Sequence, residues 1–280
     1  MISSIKESLY MSEPFQRFRH ECERDPKIRR ISIAGISGSL MAFVVDLLAQ
    51  QYSQVLLIVP EKDRADQLRD DCILVSPEKR VNLYADAERH SATSLDMSGP
   101  ISAVESLYSL VKGEPGIVVA SAEAVVSLLP APSDFSRRSF TLMAGGEFPF
   151  QELLDRLEGW GFERKDFVEG YGDFAVRGGI LDVFPFVGDH PLRIEFFGDT
   201  VESIREFEPL SQRSIRDVRS ASIVAAFSAG DLENRPATIL EYLSENAILL
   251  VDEITQCERE VDELFREGVK GIIPRRQPLF

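Results

Sequence analysis

Apolar runs and amphipathic stretches alternate along the first 130 residues of the chain. Residues 55–59 and 117–120 are unbroken apolar runs of the length of a buried strand, whereas residues 40–52 and 101–112 carry apolar side chains at helical spacing. A shorter apolar run, residues 31–34, predicts one more strand ahead of the first of these helices. Strands and helices in this order favour a parallel sheet with helices on both faces.

The pattern changes after the segment Pro-Ala-Pro-Ser at residues 130–133. Of the 18 phenylalanines, 12 lie between residues 135 and 207. One helical stretch, residues 150–160, precedes five runs with strand character: 162–168, 173–177, 179–184, 192–197 and 201–207. Gly198 and Asp199 separate the last two runs and predict a tight hairpin turn. This region therefore predicts a small antiparallel α+β domain.

After residue 220 the alternation returns, with a helix over 232–243, a strand over 247–251 and a helix over 254–266. The fold class is α/β. The expected domains are a parallel-sheet α/β domain, an antiparallel α+β domain and a third, partial α/β subdomain: residues 1–130, 131–222 and 223–280.

Charge and composition narrow the functional classes. The chain has 31 lysines plus arginines against 46 acids, and its net charge of −15 disfavours DNA as the principal ligand because phosphate backbones repel it. No apolar run has the length of a membrane span, and the N-terminus lacks the features of a secretory signal. We therefore expect a cytoplasmic protein without a membrane partner. Its three cysteines are far apart in sequence and predict buried reduced thiols rather than a metal site.

Two segments resemble nucleotide-binding motifs. The turn from Gly35 to Gly38 and Ser39 leads into a predicted helix, where backbone N–H groups could hold phosphate. Near the C-terminal end of the sequence, Asp252 and Glu253 follow an apolar run. In phosphate-loop enzymes, acids at the end of such a run position Mg²⁺. The lysine of a GxxxxGK[ST] loop is missing, because Ser39 and then a leucine follow Gly38. We interpret both segments as degenerate nucleotide motifs kept as scaffold, without catalytic residues, a cofactor or ATP hydrolysis.

The most informative stretch lies in the phenylalanine-rich region. Residues 171–185 read YGDFAVRGGILDVFP, and residues 191–199 read PLRIEFFGD. This stretch resembles the module shared by the bacterial transcription-repair coupling factor family, Mfd, and the excision-repair helicase subunit UvrB, which in both binds UvrA, the damage-sensing ATPase. The similarity is dense over residues 161–214 and weaker over the rest. It implies a degenerate phosphate-loop domain of the RecA or helicase type, a UvrA-binding domain and a further α/β subdomain.

Two absences favour the coupling factor over UvrB. UvrB keeps the phosphate-loop lysine that this sequence lacks. UvrB also carries an aromatic-rich hairpin that threads DNA, whereas residues 83–107 hold only Tyr84, with Tyr108 beside them.

The resemblance to the coupling factors implies a non-enzymatic docking module that recruits UvrA during transcription-coupled nucleotide-excision repair of damaged DNA. The chain would be an N-terminal fragment of a longer ATP-dependent DNA translocase that displaces stalled RNA polymerase. RNA polymerase and DNA would then be bound only by the missing C-terminal parts of that protein. A UvrB-like ATP-dependent DNA-binding repair enzyme is the alternative.

Three residues match the family's UvrA-contact positions. The arginine of the RGG run is Arg177, the arginine before IEFF is Arg193, and the second aromatic of that run is Phe197. Strand alternation puts Arg193 and Phe197 on one face, and arginines beside an exposed aromatic are typical of interface hot spots. Two alternatives stay open. Phe197 could be a core aromatic, and each arginine could form a surface ion pair of little energetic value.

Overall fold

The computed structural model describes residues 2–24, 31–84, 98–227, 236–269 and 272–273. Its α-helices are α1 (Ile2–Tyr10), α2 (Glu13–Arg24), α3 (Leu40–Leu48), α4 (Lys62–Val75), α5 (Ser98–Val111), α6 (Ala122–Val126), α7 (Pro132–Ser136), α8 (Phe150–Gly159) and α9 (Ile254–Glu267). Its strands are β1 (Gln54–Val59), β2 (Val81–Tyr84), β3 (Gly116–Ser121), β4 (Ser139–Met143), β5 (Glu163–Arg164), β6 (Asp173–Arg177), β7 (Ile180–Val183), β8 (Leu192–Phe197), β9 (Thr200–Phe207), β10 (Ser214–Asp217), β11 (Ser220–Val224) and β12 (Ala247–Val251). A 3-10 helix spans Ile239–Tyr242, within the predicted helix over 232–243, which begins outside the described residues.

The chain divides into two compact units. The first comprises Met1–Ala85, Lys112–Ser127 and Leu243–Phe280, and the second comprises Asp86–Val111 and Leu128–Tyr242. Parallel and antiparallel sheets are both present, which confirms the predicted mixed α/β class. Over the described ranges, none of the helices combines the length and the apolar character needed to cross a bilayer.

The first unit is built on a parallel sheet with the strand order β12-β1-β3-β2. Every residue of β1 is buried, as expected for a strand covered on both faces. Leu47 of α3 and Leu68 of α4 belong to the same buried apolar cluster as Leu57 of β1. The alternating pattern of the sequence therefore predicted this layer correctly.

Two segments of the first unit differ from expectation. The predicted strand at residues 31–34 is wrong, because these residues form no ladder and the side chains of Ile31 and Ile33 are 40% and 42% exposed. Strand β12 pairs in parallel with β1 and lies in the sheet of the first unit, whereas its residues belong to the expected third subdomain. Because β1 and β12 are far apart in sequence, no local sequence pattern predicts that they pair.

A buried carboxylate anchors α1 within the first unit. Asp46 on α3 is 1% exposed and accepts hydrogen bonds from Lys6 Nζ at 2.7 Å, from Ser76 Oγ at 2.6 Å and from Tyr10 Oη. Burial alone would raise the pKa of Asp46, but the hydrogen bonds from Lys6, Ser76 and Tyr10 outweigh burial and lower that pKa. Asp46 is therefore held as an anion that ties α1 to α3.

The second unit contains a six-stranded sheet with the order β10-β9-β8-β7-β6-β5. Neighbouring strands are antiparallel except for the short parallel pair of β5 and β6, which replaces the longer predicted strand over 162–168. The predicted hairpin is confirmed: Gly198 and Asp199 join β8 to β9, and Gly198 has a φ of 62°, the conformation that such a turn needs at its first central position. Strands β4 and β11 form a separate antiparallel pair.

The two faces of the six-stranded sheet differ in character. Alternate side chains of β8 are buried, namely Leu192, Ile194 and Phe196. The ring centroid of Phe196 lies 4.9 Å from that of Phe150 on α8, and the leucines of this helix are buried. Helix α8 therefore covers the apolar face, and the charged side chains of β8 project from the other face.

Candidate partner-binding site

The three residues carried over from the family lie on one face of the six-stranded sheet. Arg177 ends β6, and Arg193 and Phe197 belong to β8. Asp182 of β7 is directly opposite Arg193 in the ladder, so their side chains share a face. Arg177 is opposite Ile180, which is two residues from Asp182 and therefore on the same face.

The carboxylate of Asp182 joins the two arginines. Asp182 is 1% exposed, and its Oδ1 and Oδ2 accept hydrogen bonds from Nε and Nη2 of Arg193 at 2.7 and 2.8 Å. Its Oδ2 also accepts from Nη1 of Arg177 at 3.0 Å. A buried carboxylate requires such partners because desolvation of an unpaired charge is costly. Asp182 thus fixes Arg177 and Arg193 side by side.

Arg193 is largely enclosed. Its side chain is 19% exposed, and its guanidinium lies 4.7 Å from the ring centroid of buried Phe207. Nη1 and Nη2 donate to the backbone oxygen and to Oε1 of Gln212 at 3.3 and 3.2 Å. The hydrogen bonds to Asp182, aided by the charge of that carboxylate, raise the pKa of Arg193 further above its usual value. Four of the five guanidinium N–H groups are used within the fold.

Arg177 is the more accessible of the two arginines. Its side chain is 42% exposed. Besides Asp182, it donates from Nη2 to the backbone oxygen of Asp166 at 2.6 Å, and its guanidinium lies 5.0 Å from the ring centroid of Phe167. Phe167 is itself 56% exposed. Arg177 therefore offers a cation and an adjacent aromatic ring to solvent.

Phe197 lies at the end of β8, immediately before the hairpin turn. Phe197 is 77% exposed, whereas the preceding Phe196 is 8% exposed. Phe197 is therefore not a core aromatic. Glu195 lies between Arg193 and Phe197 on the same face of β8 and forms an ion pair with Arg205 of β9. Phe197 is therefore an exposed apolar residue next to charged side chains on this face.

Sequence reasoning missed three residues of this site. Asp182 could have been found, because it is an acid within the apolar run ILDVFP. Phe167 and Gln212 left no signal, since the paths of two loops bring them to Arg177 and Arg193.

The degenerate nucleotide motifs lie in the first unit. Gly35 and Gly38 have φ values of 81° and 59°, so the turn before α3 depends on residues without a β-carbon. Ser39 precedes α3 but makes no side-chain capping hydrogen bond. Glu253, after β12, has a φ of 48° and caps the start of α9 with its backbone oxygen, which accepts from the amide of Cys257 at 3.0 Å.

Arg64 of α4 connects the two motifs. Its Nη2 donates to the backbone oxygen of Gly38 at 3.2 Å, and its Nε donates to Oδ2 of Asp252 at 3.3 Å. Asp252 is 9% exposed. The structure thus brings the glycine turn and the acid to one guanidinium, whose charge neutralises that acid. Sequence reasoning missed Arg64 because no motif includes it.

No metal centre is formed by the side chains that the structure describes, since they contain no group of three or more His, Cys, Asp or Glu residues placed to hold an ion. Cys72 and Cys257 are buried, and burial, together with nearby carboxylates, raises the pKa of each thiol to about 12. Both are therefore protonated thiols at neutral pH.

Comparisons with known proteins agree with the resemblance seen in the sequence. Residues 140–228 match the family described as the UvrB interaction domain. The chain is 32% identical over 194 residues to the transcription-repair-coupling factor of Bacillus subtilis (strain 168). This aligned region covers 68% of the present chain and 16% of that protein. It is 26% identical over 197 residues to the transcription-repair-coupling factor of Staphylococcus aureus (strain bovine RF122 / ET3-1). That alignment covers 69% of the present chain and 17% of the S. aureus protein.

The matched region thus spans about a sixth of the length of these curated relatives. It covers about two thirds of the present chain and includes the six-stranded sheet within residues 140–228. The chain therefore contains a UvrB interaction domain and is a homologue of the bacterial transcription-repair coupling factors.

Proposed function

We propose that this chain is a docking module that recruits UvrA during transcription-coupled nucleotide-excision repair. The observation that carries the proposal is the Asp182 carboxylate, which holds Arg177 and Arg193 together on the sheet face that ends in exposed Phe197. This arrangement lies within the segment that matches the UvrB interaction domain.

The physical basis is preorganisation. Arginine and aromatic side chains are enriched among the residues that dominate protein interfaces. Here the guanidinium of Arg177 is already fixed by Asp182 and by the backbone oxygen of Asp166, so binding would immobilise little additional side-chain freedom. Arg177 would donate to acidic or carbonyl groups of UvrA, while Phe197 would contribute apolar contact.

The proposed docking module would have no catalytic activity of its own. The glycine turn lacks the lysine that phosphoryl transfer requires, and Arg64 pairs with Asp252, the acid that would position Mg²⁺ in an active site. A guanidinium at 3.3 Å from this carboxylate opposes binding of a second cation there. The scaffold would therefore be a degenerate phosphate-loop fold of the helicase type.

A UvrB-like ATP-dependent DNA-binding enzyme is the second candidate. The observation in its favour is the spatial closeness of Gly38 and Asp252, both of which contact Arg64. An ATP-binding titration separates the candidates, because micromolar affinity for ATP would favour the enzyme and overturn the non-enzymatic proposal.

The longer protein to which this module would belong carries the remaining proposed activities. In it, RNA polymerase and DNA would be bound by parts outside this chain, and those parts would include the ATP-dependent translocase that displaces stalled polymerase. The module would act in the cytoplasm.

Titration calorimetry of the chain with purified UvrA tests the docking proposal. We expect Arg177→Ala and Phe197→Ala to weaken binding by about 10-fold to 100-fold, the range of interface hot spots. Arg80→Ala is the matched control, because Arg80 is 58% exposed and, like Arg177, forms an ion pair with an acid, here Glu114. Absence of binding by the unaltered chain, or equal binding by all variants, would refute the proposal.

A further inference from the structure

We propose that Leu210 is a further contact residue for UvrA, and that Arg193 acts by positioning the turn that carries it. The inference rests on the proposed docking function and extends the docking surface to the turn between β9 and β10. The residues that match the family's UvrA-contact positions, Arg177, Arg193 and Phe197, all lie outside this turn.

Leu210 is exposed to an unusual degree for a large apolar residue. Leu210 is 95% exposed, the highest value among the exposed large apolar residues that the structure describes. The turn beneath it is nonetheless well ordered by backbone hydrogen bonds, from the amide of Glu208 to the oxygen of Arg213 at 2.9 Å and from the amide of Gln212 to the oxygen of Glu208 at 2.8 Å. Because the turn is already ordered, a partner that covers Leu210 would immobilise little additional chain freedom.

Gln212 holds the turn in an unfavourable backbone conformation. Its φ is 57°, a region that residues with a side chain seldom occupy, and such conformations persist where the surroundings fix them and are frequent at functional sites. The Gln212 amide group supplies the fixing contacts, because Nε2 donates to the backbone oxygens of Pro209 and Val168 at 2.6 and 3.4 Å. The side chain thus fastens the turn to the segment beside Phe167.

Arg193 connects this turn to the arginine pair. It donates to the backbone oxygen and to Oε1 of Gln212, and it also donates twice to Asp182. With four of its five N–H groups engaged inside the fold, Arg193 has little capacity left for a partner. Its influence on binding would therefore pass through the groups that it positions, namely Asp182 and the turn of Leu210.

The occupant of the extended surface follows from its continuity with the docking site. The turn lies within residues 140–228, the match to the UvrB interaction domain, and one guanidinium links it to the carboxylate that also holds Arg177. A partner that contacts Arg177 and Phe197 on this domain would be UvrA, and we assign Leu210 to the same partner.

Calorimetric titration of UvrA into the Leu210→Ser variant tests the contact. We expect at least about tenfold weaker binding, with an unchanged melting temperature because the side chain is already in water. Leu74→Ser is the matched control, since Leu74 is a 60% exposed leucine of α4 in the first unit, and it should bind UvrA as the unaltered chain does.

A double-variant cycle tests the positioning role. Arg193→Lys keeps the charge but loses the forked geometry that reaches Asp182 and Gln212 together. If Arg193 acts through the turn, Arg193→Lys should weaken UvrA binding at least about threefold less in the Leu210→Ser background than in the unaltered chain. The reason is that part of its effect depends on the Leu210 side chain, which that background lacks. A direct contact of Arg193 with UvrA would instead give two independent effects that multiply.

The outcomes are distinguishable. Unchanged binding by Leu210→Ser, together with weakened binding by Arg177→Ala, would overturn the Leu210 contact and leave the docking function intact. Effects of Arg193→Lys and Leu210→Ser that multiply fully would overturn the positioning role. Failure of the unaltered chain to bind UvrA would overturn the docking function and this inference with it.

Discussion

Asp182 and Arg193, on neighbouring strands of the second unit, form a bidentate ion pair with N···O distances of 2.7 and 2.8 Å. The carboxylate is 1% exposed and the arginine side chain 19% exposed, so the pair is much less screened than a surface ion pair. The same carboxylate accepts from Arg177, whose side chain is 42% exposed. Two arginines at matching positions of the family motif therefore have different structural roles.

Truncation of the two arginines should affect stability unequally. Arg193→Ala leaves Asp182 buried with one partly exposed partner, and we expect it to lower the free energy of unfolding by about 2–4 kcal/mol. Arg177→Ala should lower it by about 1 kcal/mol or less, because Arg193 still satisfies the carboxylate. Urea unfolding of both variants measures the difference, with Arg80→Ala as a surface control. Equal losses would contradict the asymmetry.

Phe197→Ala should leave stability nearly unchanged and weaken binding to UvrA. The ring is 77% exposed, so its removal should change the free energy of unfolding by about 0.5 kcal/mol or less. Phe196→Ala is the internal comparison, because that ring is 8% exposed and its loss should destabilise the fold by about 3–5 kcal/mol. Thermal unfolding and UvrA titration on both variants give the result. A large drop in melting temperature for Phe197→Ala would show that the ring supports the fold.

The chain should not hydrolyse ATP above background. The glycine turn lacks a lysine, and Arg64 is paired with Asp252. Without a cation on the phosphates and a free acid for Mg²⁺, the transition state for phosphoryl transfer has little electrostatic stabilisation. A phosphate-release assay with Mg²⁺ and ATP should give the same baseline for the unaltered chain and for Asp252→Asn. Turnover that disappears in Asp252→Asn would refute the expectation.

The Asp46 cluster should make stability fall in acid. The pKa of Asp46 is lower in the folded state than its ordinary value of 3.8, so the folded state favours the anion. Its contribution is therefore complete above about pH 5 and is lost as the pH falls through 3.8 toward the folded-state pKa.

Urea unfolding between pH 6 and pH 3 measures the Asp46 contribution. Asp46→Asn is the control, because an amide has the same shape and does not titrate. The difference in stability between the unaltered chain and Asp46→Asn should shrink as the pH is lowered. A difference independent of pH would show that Asp46 contributes no charge-dependent stability.

Local sequence patterns were sufficient for much of the fold. The apolar run of β1 predicted a buried strand because a strand covered on both faces has no polar positions. The Gly198-Asp199 pair predicted a hairpin because glycine readily adopts the positive φ that the turn requires. The YGDFAVRGGILDVFP and PLRIEFFGD runs predicted the family, which the comparisons confirm.

Tertiary structure decided how the predicted residues are connected. The sequence predicted Arg177 and Arg193 as site residues. Their shared hydrogen bonds to the carboxylate of Asp182, and those of Arg193 to Gln212, depend on strand register and on the path of two loops. Likewise, Arg64 joins Gly38 to Asp252, three residues that are far apart in sequence. Side-chain periodicity reports which face of one element is buried, whereas ion pairs between elements depend on distances that only the folded chain sets.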